Sequence, residues 1–358
     1  MPTFGGMIIH AERAIDRIID IHRVQLERKT FKKKLGYLGG GGTTTREREK
    51  IKAYWSKYAK SDPVFQLFYS RVNGSFDVRY LPDDLYYTVI DPFYNDRHAF
   101  KFLDNKCYYD LYFPNIPQPK VIAKRINGYW IIDGKITDLQ SVVGKAVESE
   151  CIFMKAANNS CGGHGVKRFL KNEITFQNIS DALRCQKNDI VIQEKVSQHI
   201  AISQINPSSV NTVRIMTWID GAGKVSVLSK VLRVGMGDAY VDNASSGGIV
   251  VGIDHSNKLK RYAYNISGDR YDIHPTTKIV FDGIQLPGID IAEELTTNLA
   301  ITFPHHRLIS WDICINEEGT PVLIELNMHH GQLDFHQMTN GPLFGERTDE
   351  MLDEVFGK

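Results

Sequence analysis

The sequence predicts a mixed α/β or α+β protein that begins with a helical N-terminal region. Three observations lead to this fold class. Apolar residues recur at helical spacing within residues 7–28, short runs rich in β-branched residues lie between residues 90 and 335, and helix-like segments such as 179–187 separate those runs. The interspersed helices exclude an all-β fold. Because 358 residues exceed the ~50–250 residues of a typical domain, we expect two lobes plus an appendage.

Two helices are expected in the N-terminal region. The first covers residues 7–28 and is amphipathic. The glycine run 39–42 interrupts the helical pattern, because glycine loses the most conformational freedom on folding. Thr44 and Glu47 then fit a capping box, so a second helix should begin near Thr45 and run to about Lys60. The glycine run lacks the Gly-Lys-Ser/Thr ending of a phosphate loop, which favours a linker.

The strands are predicted where β-branched and apolar residues cluster. Their approximate positions are residues 121–123, 151–154, 190–192, 210–217 and 225–234. A last short helix is expected over residues 348–356, after the breakers Gly341, Pro342 and Gly345.

Composition excludes several classes of protein. Apolar residues at 42% and charged residues at 24% are ordinary globular values, which argues against a disordered or fibrous chain. A net charge of +1 gives no electrostatic signature of a nucleic-acid-binding protein. No stretch approaches ~20 apolar residues, so we expect a cytoplasmic protein without a transmembrane segment. The five cysteines lack CxxC spacing, which indicates neither a disulfide framework nor a zinc site.

The most informative segment is an acidic β-hairpin formed by residues 309–315 and 321–327. If Glu318 and Gly319 are the centre of an even-length turn, Asp312 lies opposite Glu325, and Ser310 lies opposite Asn327. The alternation then places two sets of residues on opposite faces. One face carries Ile309, Trp311, Ile313 and Ile315 with Val322, Ile324 and Leu326, and the other carries Asp312, Glu325 and Asn327. An odd-length turn would destroy this register.

The paired carboxylates of the hairpin point to a metal. Asp312 and Glu325 on neighbouring strands repel each other unless a positive charge lies between them. A few hard oxygen ligands, with Asn327 as a third, suit Mg²⁺ rather than zinc. The alternative interpretation is an acidic pair on a solvated sheet face.

A second polar segment follows the strand 151–154. Lys155 ends that strand and precedes a loop with three glycines, which can bring a point charge and backbone N–H groups against a polyphosphate. The alternative is an ordinary hairpin turn with a surface lysine. Residues 190–199 form an apolar strand that breaks into polar residues, as expected of a hinge that contacts a base and a ribose.

The order of these motifs resembles the ATP-grasp superfamily. The resemblance rests on Asp104-Asn105-Lys106, Lys155 with its glycine loop, the hinge at Glu194, and the acidic hairpin. Three further segments resemble the sugar-transfer-associated ATP-grasp family, over roughly residues 90–350. They are residues 206–214 (Asn-Pro-Ser-Ser-Val-Asn-Thr-Val-Arg), 242–248 (Asp-Asn-Ala-Ser-Ser-Gly-Gly) and 335–337 (Phe-His-Gln).

The resemblance implies an α+β ATP-grasp fold, with two lobes that clamp ATP behind the helical N-terminal region. The expected divisions are residues 1–89 for the helical region, 90–192 for the first lobe, 193–340 for the second lobe with the metal site, and 341–358 for a C-terminal helix.

The resemblance also implies a role for each matching residue. Lys106 and Lys155 would contact phosphates, and Gly162, Gly163 and Gly165 would belong to a mobile lid. Glu194, Lys195 and Val196 would meet adenine, His199 would bind ribose, and Asp312, Glu325 and Asn327 would hold Mg²⁺. Many relatives carry an arginine two residues before the first metal carboxylate, where this chain has Ser310. Arg214 and Arg233 are the candidates to replace it in catalysis, together with Lys155; the alternative for both arginines is a structural ion pair.

The implied activity is that of an ATP-dependent carboxylate–amine ligase. It would activate a carboxylate of the amino-acid or uronic-acid type as an acyl phosphate and join it to a nucleophile, in surface-polysaccharide or related biosynthesis. The expected partners are small-molecule carboxylate and amine substrates or a glycan precursor. A kinase that phosphorylates a hydroxyl group and a catalytically silent nucleotide-binding scaffold are the alternatives, and the oligomeric state is left open.

Overall fold

The computed structural model describes residues 4–39, 44–96, 103–158, 165–184 and 188–357, without the side chains of residues 4–17 and of Ser245. Within this part of the chain two compact units are distinguished. One combines the residues up to Asn95 with those from Gln332 onward, and the other covers residues 96–331. Each unit has its own framework and is described separately.

The first unit is helical. Its helices before residue 96 are Phe4–Tyr37, Thr45–Trp55, Val64–Asn73, Asp83–Leu85, a π-helical turn Tyr86–Ile90, and Asp91–Tyr94. From residue 332 it adds Leu333–Asn340, a 3₁₀ turn Gly345–Arg347, and Thr348–Phe356. The first helix extends nine residues beyond its predicted end at residue 28, because Phe31 and Leu35, one turn apart, are also buried.

The predicted capping box is confirmed. The Thr44 hydroxyl accepts a hydrogen bond from the Glu47 N–H at 3.1 Å, and the Glu47 carboxylate accepts one from the Thr44 N–H at 2.8 Å. The helix begins at Thr45 as expected, but it ends at Trp55 rather than near Lys60.

Residues 332–358 are an integral part of the helical unit. The Gln337 side chain donates to the Leu81 carbonyl at 3.0 Å and accepts from the Leu81 N–H at 2.9 Å. The Tyr54 hydroxyl donates to Asp349 at 2.7 Å. The sequence analysis placed residues 332–340 in the second lobe and treated 341–358 separately, whereas the structure groups both segments with the N-terminal helices.

The second unit contains two antiparallel sheets. The first has strands β1 Val121–Ile126, β2 Tyr129–Ile132, β3 Lys135–Thr137, β4 Cys151–Ala156, β5 Lys167–Leu170 and β6 Ile190–Glu194 in the order β3-β2-β1-β6-β4-β5. The helices Leu139–Ala146 and Phe176–Leu183 share a hydrophobic core with it. Short helical turns Lys106–Tyr108 and Tyr109–Tyr112 precede β1.

The second sheet has seven strands. They are β7 Val213–Ile219, β8 Val225–Val234, β9 Ile249–Ile253, β10 Leu259–Tyr264, β11 Arg270–Tyr271, β12 Leu308–Ile315 and β13 Pro321–Asn327, in the order β11-β10-β9-β8-β7-β12-β13. The helix Ile289–Ala300 shares the core of this sheet. The short helix Ile200–Ser203 lies between β6 and β7, and the short helix Ala244–Ser246 lies between β8 and β9. The predicted α+β class is confirmed, because each lobe is an antiparallel sheet that shares its hydrophobic core with helices.

The acidic hairpin has the predicted pairing for a different reason. Asp312 lies opposite Glu325 and Ser310 opposite Asn327, as expected. The turn is nevertheless odd, since Ile315 pairs with Pro321 and five residues lie between them. A β-bulge between the Asp312 and Ile313 pairs leaves Ile324 without an opposite residue, and this extra residue restores the register.

The bulge also changes which apolar residues of β13 face the core. The even turn placed Val322, Ile324 and Leu326 on the face of Trp311. In the structure Leu323 and Leu326 join the hydrophobic core with Trp311. The prediction was wrong for Val322 and Ile324, because alternation is broken at the bulge.

No helix among the described residues is both long enough and apolar enough to cross a membrane.

Candidate functional site

Asp312 is the buried centre of a cluster of charged side chains on the second sheet. Its side chain is 3% exposed, and its Oδ1 and Oδ2 accept hydrogen bonds from Nε and Nη2 of Arg214, both at 2.7 Å. Arg233 adds a bond from Nη1 to Oδ2 at 2.8 Å. Burial would raise the pKa of Asp312, but the two guanidinium groups outweigh it and lower the pKa to about 2. Asp312 is therefore a fixed negative charge.

The sheet register brings these three side chains together. Asp312 on β12 pairs directly with Arg214 on β7, and Arg214 pairs with Val231 on β8. Arg233 lies two residues beyond Val231, so it projects from the same face. Burial lowers the pKa of Arg214, while Asp312, with Glu325 and Asp242, raises it by more, so the arginine stays charged.

Glu325 is held by a lysine from outside the hairpin. Lys106 Nζ lies 2.6 Å from Glu325 Oε1, and the side chains are 6% and 28% exposed, respectively. The Lys106 N–H donates to the Ala157 carbonyl at 2.9 Å, which fixes its backbone next to the end of β4. Burial acts to lower the pKa of Lys106, but Glu325, Asp104 and Asp312 together raise it by more. The cations that the sequence analysis required near the acidic pair are thus protein side chains.

The oxygens of the hairpin still form a suitable donor set for a hard cation. Glu325 and Asn327 are two residues apart on β13, beyond the bulge, and Asp312 is opposite Glu325. Asn327 directs its Nδ2 toward the Ser310 carbonyl at 3.4 Å. Two carboxylates and one amide oxygen suit Mg²⁺, which accepts a few protein ligands and completes its shell with water or phosphate.

Lys155 differs from the other cations, since it makes no hydrogen bond or ion pair with any described residue. Its Nζ lies 5.8 Å from the centre of the Phe153 ring. Burial, and then the charge of Lys106, lower the pKa of Lys155 to about 8, against an opposing effect of Glu325. An anion placed beside Lys155 would relieve this energetic cost.

Glu194, Lys195 and Val196 line a pocket of about 220 Å³, and their contact with adenine stays a prediction. Glu194 Oε1 accepts hydrogen bonds from Lys120 Nζ and Ser149 Oγ, both at 2.8 Å. The bond from Lys120 lowers the pKa of Glu194. The other residues that line the pocket are Lys120, Ser197, Asn316, Glu317, Glu318 and Val322.

A comparison of sequences decides the family. The sequence model of the family described as sugar-transfer associated ATP-grasp matches residues 88–351. The chain belongs to this family. The resemblance proposed over residues 90–350 is therefore confirmed, and no curated protein matches the chain.

Solved structures similar to this family member include several with low sequence identity. The biotin carboxylase domain of 2-oxoglutarate carboxylase from Hydrogenobacter thermophilus is 11% identical with a TM-score of 0.45, covering 73% of this chain and 47% of that chain. The D-cycloserine synthetase DcsG is 10% identical with a TM-score of 0.45, covering 72% of each chain. D-alanyl-alanine synthetase A from Vibrio cholerae is 15% identical with a TM-score of 0.37, covering 70% and 65%. This ATP-grasp chain thus spans about half of the first of these.

In the structure His199, the predicted ribose ligand, caps a short helix. His199 Nδ1 accepts a hydrogen bond from the Ala201 N–H at 3.2 Å and so caps the helix Ile200–Ser203. The His199 N–H donates to the Ile315 carbonyl at 3.0 Å. His199 is not among the described residues that line the hinge pocket, and its contact with ribose stays a prediction.

The predicted glycine lid is described only in part. Gly162 and Gly163 lie outside the described residues. Gly165 has φ of +88°, a left-handed conformation that favours glycine, two residues before β5 begins. The role of the three glycines as a lid stays a prediction.

The structure explains why this ATP-grasp chain has no arginine at position 310. The Ser310 side chain is buried, and its hydroxyl finds no hydrogen-bond partner among the described residues. A Cβ atom on Gly331 would lie 2.5 Å from Ser310 Oγ, so the chain at Gly331 passes too close for a long side chain. Arg214 and Arg233 both bond to Asp312, and their role in place of that arginine stays a prediction.

The sequence analysis assigned no role to Thr212 or Asp242. Asp242 is 6% exposed and accepts a hydrogen bond from the Thr212 N–H at 2.9 Å and a second, short one from the Thr212 hydroxyl. Asp242 Oδ1 lies 3.4 Å from Arg233 Nη2. Both residues belong to segments quoted for the family resemblance, which was the available signal.

The segment 206–214 is held by buried amides. Gln198 donates to the Asn211 carbonyl at 2.6 Å and accepts from the Asn211 N–H at 2.9 Å. Asn211 Nδ2 donates to the carbonyls of Ile202 and Asn206, both at 3.1 Å. Fully paired buried amides fix the backbone, so this segment sets the start of β7, on which Arg214 lies.

Proposed function

We propose that this chain binds Mg-ATP at the acidic hairpin and uses it to activate a carboxylate, which it then joins to an amine. The proposal is supported by six charged side chains that lie together in one site: two carboxylates opposite each other and four cations. Arg214 and Arg233 contact Asp312, Lys106 contacts Glu325, and Lys155 has a depressed pKa beside them. Acids that can share a metal, surrounded by cations that can receive phosphates, are the requirements of phosphoryl transfer.

We assign each part of the nucleotide to residues whose chemistry suits it. The hinge pocket at Glu194, Lys195 and Val196 would receive adenine. Lys106 and Lys155 would contact the phosphates, and Lys155 would gain the anionic partner that it lacks among the described residues. His199 and the glycines Gly162, Gly163 and Gly165 would complete the ribose and phosphate contacts.

Asp312, Glu325 and Asn327 would hold Mg²⁺. When bound, the metal would neutralise part of the phosphate charge and orient the phosphate oxygens. Arg214 and Arg233 keep Asp312 ionised, since both donate hydrogen bonds to its carboxylate, and Lys106 donates to Glu325.

The proposed reaction needs no protein nucleophile. An oxygen of the substrate carboxylate attacks the γ-phosphorus, the bond to the bridging oxygen breaks, and ADP leaves with the electron pair. The amine then attacks the acyl carbon, loses a proton, and displaces inorganic phosphate. Arg214 and Arg233 would stabilise the charge that develops on the transferring group, because their guanidinium groups are held in place by Asp312 before the reaction.

The substrates that we propose are an amino-acid or uronic-acid carboxylate and an amine, with a glycan precursor as one of the two. The setting would be surface-polysaccharide or related biosynthesis in the cytoplasm. These assignments extend the family resemblance and are tested by assay. ADP release should be screened across amino acids and hexuronic acids, with mass analysis of each product.

Isotope labelling separates the ligase from a kinase. A carboxylate labelled with ¹⁸O should transfer one labelled oxygen to the released phosphate. Retention of all label in the organic product, with ADP formed, would exclude the acyl phosphate and favour phosphorylation of a hydroxyl group.

The metal role is tested by Glu325→Gln. We expect a loss of ADP formation of about 100-fold or more, because the amide cannot share a cation as a carboxylate does, whereas it can still accept from Lys106. Glu293→Gln is a matched control, since Glu293 is 30% exposed and pairs with the buried Lys230 on the opposite face of the sheet. Near-normal turnover of Glu325→Gln would contradict the proposed site.

A further inference from the structure

Arg233 lies between two buried carboxylates, one on β12 and one in the connection between β8 and β9. Its Nη1 donates to Asp312 at 2.8 Å, and its Nη2 lies 3.4 Å from Asp242. The side chains of all three residues are at most 8% exposed. Asp242 therefore offers this guanidinium group a second carboxyl group beside that of Asp312.

Asp242 is itself held firmly. One carboxylate oxygen accepts from both the N–H and the hydroxyl of Thr212, which leaves the other oxygen toward Arg233. Thr212 directly precedes β7, two residues from Arg214. The contact thus links the connection between β8 and β9 to the strand that carries the other arginine.

The segment that delivers Asp242 is folded tightly on itself. A Cβ atom on Gly248 would lie 2.3 Å from the Asp242 carbonyl oxygen, and one on Gly235 would lie 2.8 Å from the Val241 carbonyl oxygen. The Gly248 N–H also donates to the Asn243 carbonyl at 3.0 Å. Side chains at these two positions would force the backbone near Asp242 to move.

We propose that Asp242 is a positioning residue for Arg233. This inference rests on the proposed function, in which Asp312 becomes a metal ligand and shares its negative charge with the cation. Arg233 then relies on a second carboxylate to keep its place, and Asp242 lies within reach at 3.4 Å. Asp242 touches neither substrate nor metal in this role; it acts through the arginine.

A double-mutant cycle tests the proposal. Asp242→Asn keeps the size of the side chain and an acceptor for the Thr212 N–H, but it removes the charge opposite Arg233. We expect kcat for ADP formation to fall about 10-fold with the affinity for ATP within about 2-fold of wild type. In an Arg233→Lys background the same change should cost less than about 2-fold, because the group that it positions is already altered.

Asp220→Asn is a matched control, since Asp220 is also 6% exposed and its carboxylate accepts from the Ala222 and Lys224 N–H groups in the turn between β7 and β8. It should leave turnover unchanged. Thr212→Val is a milder variant for use if Asp242→Asn does not fold, since it removes only the hydroxyl bond to Asp242. Its smaller loss of kcat should likewise disappear in Arg233→Lys.

Three results would overturn the proposal. The first is a double variant whose loss of kcat equals the product of the losses in the Asp242 and Arg233 single variants. The second is wild-type kcat in Asp242→Asn, and the third is a loss confined to ATP affinity. If the wild-type protein neither binds nor turns over ATP, the proposed function fails instead, and the two failures are distinguished by calorimetry of the wild type.

Discussion

Lys155 carries its charge at an energetic cost in the free protein. Its pKa is lowered to about 8, chiefly by burial. A bound polyphosphate favours the charged form and raises the pKa, so nucleotide binding near pH 8 should take up about half a proton through this side chain. At pH 6 the lysine is already protonated, and this uptake should vanish.

Titration calorimetry in buffers of different ionisation enthalpy measures the effect. Lys155→Ala should abolish the uptake near pH 8 and weaken ATP binding about 10- to 100-fold, the equivalent of one charged hydrogen bond. Lys145→Ala is the control, because Lys145 pairs with the exposed Asp133 and lies outside the site. Equal effects of the two variants would remove Lys155 from the phosphate site.

Among individual residues, the sequence singled out those whose pattern lies within one short segment. Lys155 ends a strand, Asp312 and Glu325 lie on one hairpin, and the hinge residues follow an apolar run. Asp242 was missed because its partner Thr212 is 30 residues away, and only the sheet brings them together. The capping bond of His199 was missed because a histidine at a helix start does not reveal whether its ring faces the backbone or a ligand.

The second helix shows how a local motif sets an element boundary. The Thr44 hydroxyl and the Glu47 carboxylate pair with N–H groups that have no partner within the helix. Thr44→Ala should lower the free energy of unfolding by about 0.5–2 kcal/mol. Thr45→Ala, one residue further along the helix, removes the same side chain without removing a cap, and alanine is a good helix former.

Denaturant unfolding followed by circular dichroism compares the two variants. ATP affinity should be unchanged in both, since the residues lie in the helical unit. A Thr45→Ala variant that is destabilised as much as Thr44→Ala would show that the capping box contributes nothing specific.

The strands of the hairpin and the opposition of its acids could be predicted from the sequence, but its turn could not. Strand positions followed from apolar alternation, and the opposition of Asp312 and Glu325 was correct. The predicted even turn was wrong, because the sequence determines neither the length of the turn nor the presence of a bulge. The odd turn and the bulge shift the register in opposite directions, so the two acids still face each other. The structure places both Leu323 and Leu326, three residues apart, in one core, which requires an interruption of the alternation between them.

At the level of the whole molecule, the helical unit is built from two distant stretches of sequence. Leu352 is fully buried, and the aromatic rings of Tyr58 and Phe356 lie 6.1 Å apart between their centres. Leu352→Ala should therefore destabilise this unit by about 2–5 kcal/mol. Hydrogen exchange should accelerate in the helices Thr45–Trp55 and Val64–Asn73.

Glu350→Ala is the control, because Glu350 is half exposed and pairs with Arg347 three residues away, so its effect should stay within about 0.5 kcal/mol. Faster exchange confined to residues 348–356 in Leu352→Ala would mean that this helix is a separate appendage. The sequence analysis could not draw the boundary after Gly331, because Gln337 finds its partner Leu81 at a separation of 256 residues.

The bulge at Ile324 has a consequence for how relatives of this chain should be aligned. Removing Ile324 would return a regular ladder in which the same two acids still face each other, because the extra residue is the one without an opposite partner. A homologue with a straight strand would therefore be one residue shorter between the turn and the second acid. An alignment that refuses a gap there would pair that homologue's glutamate with Ile324, and an intact pair of acids would be scored as lost.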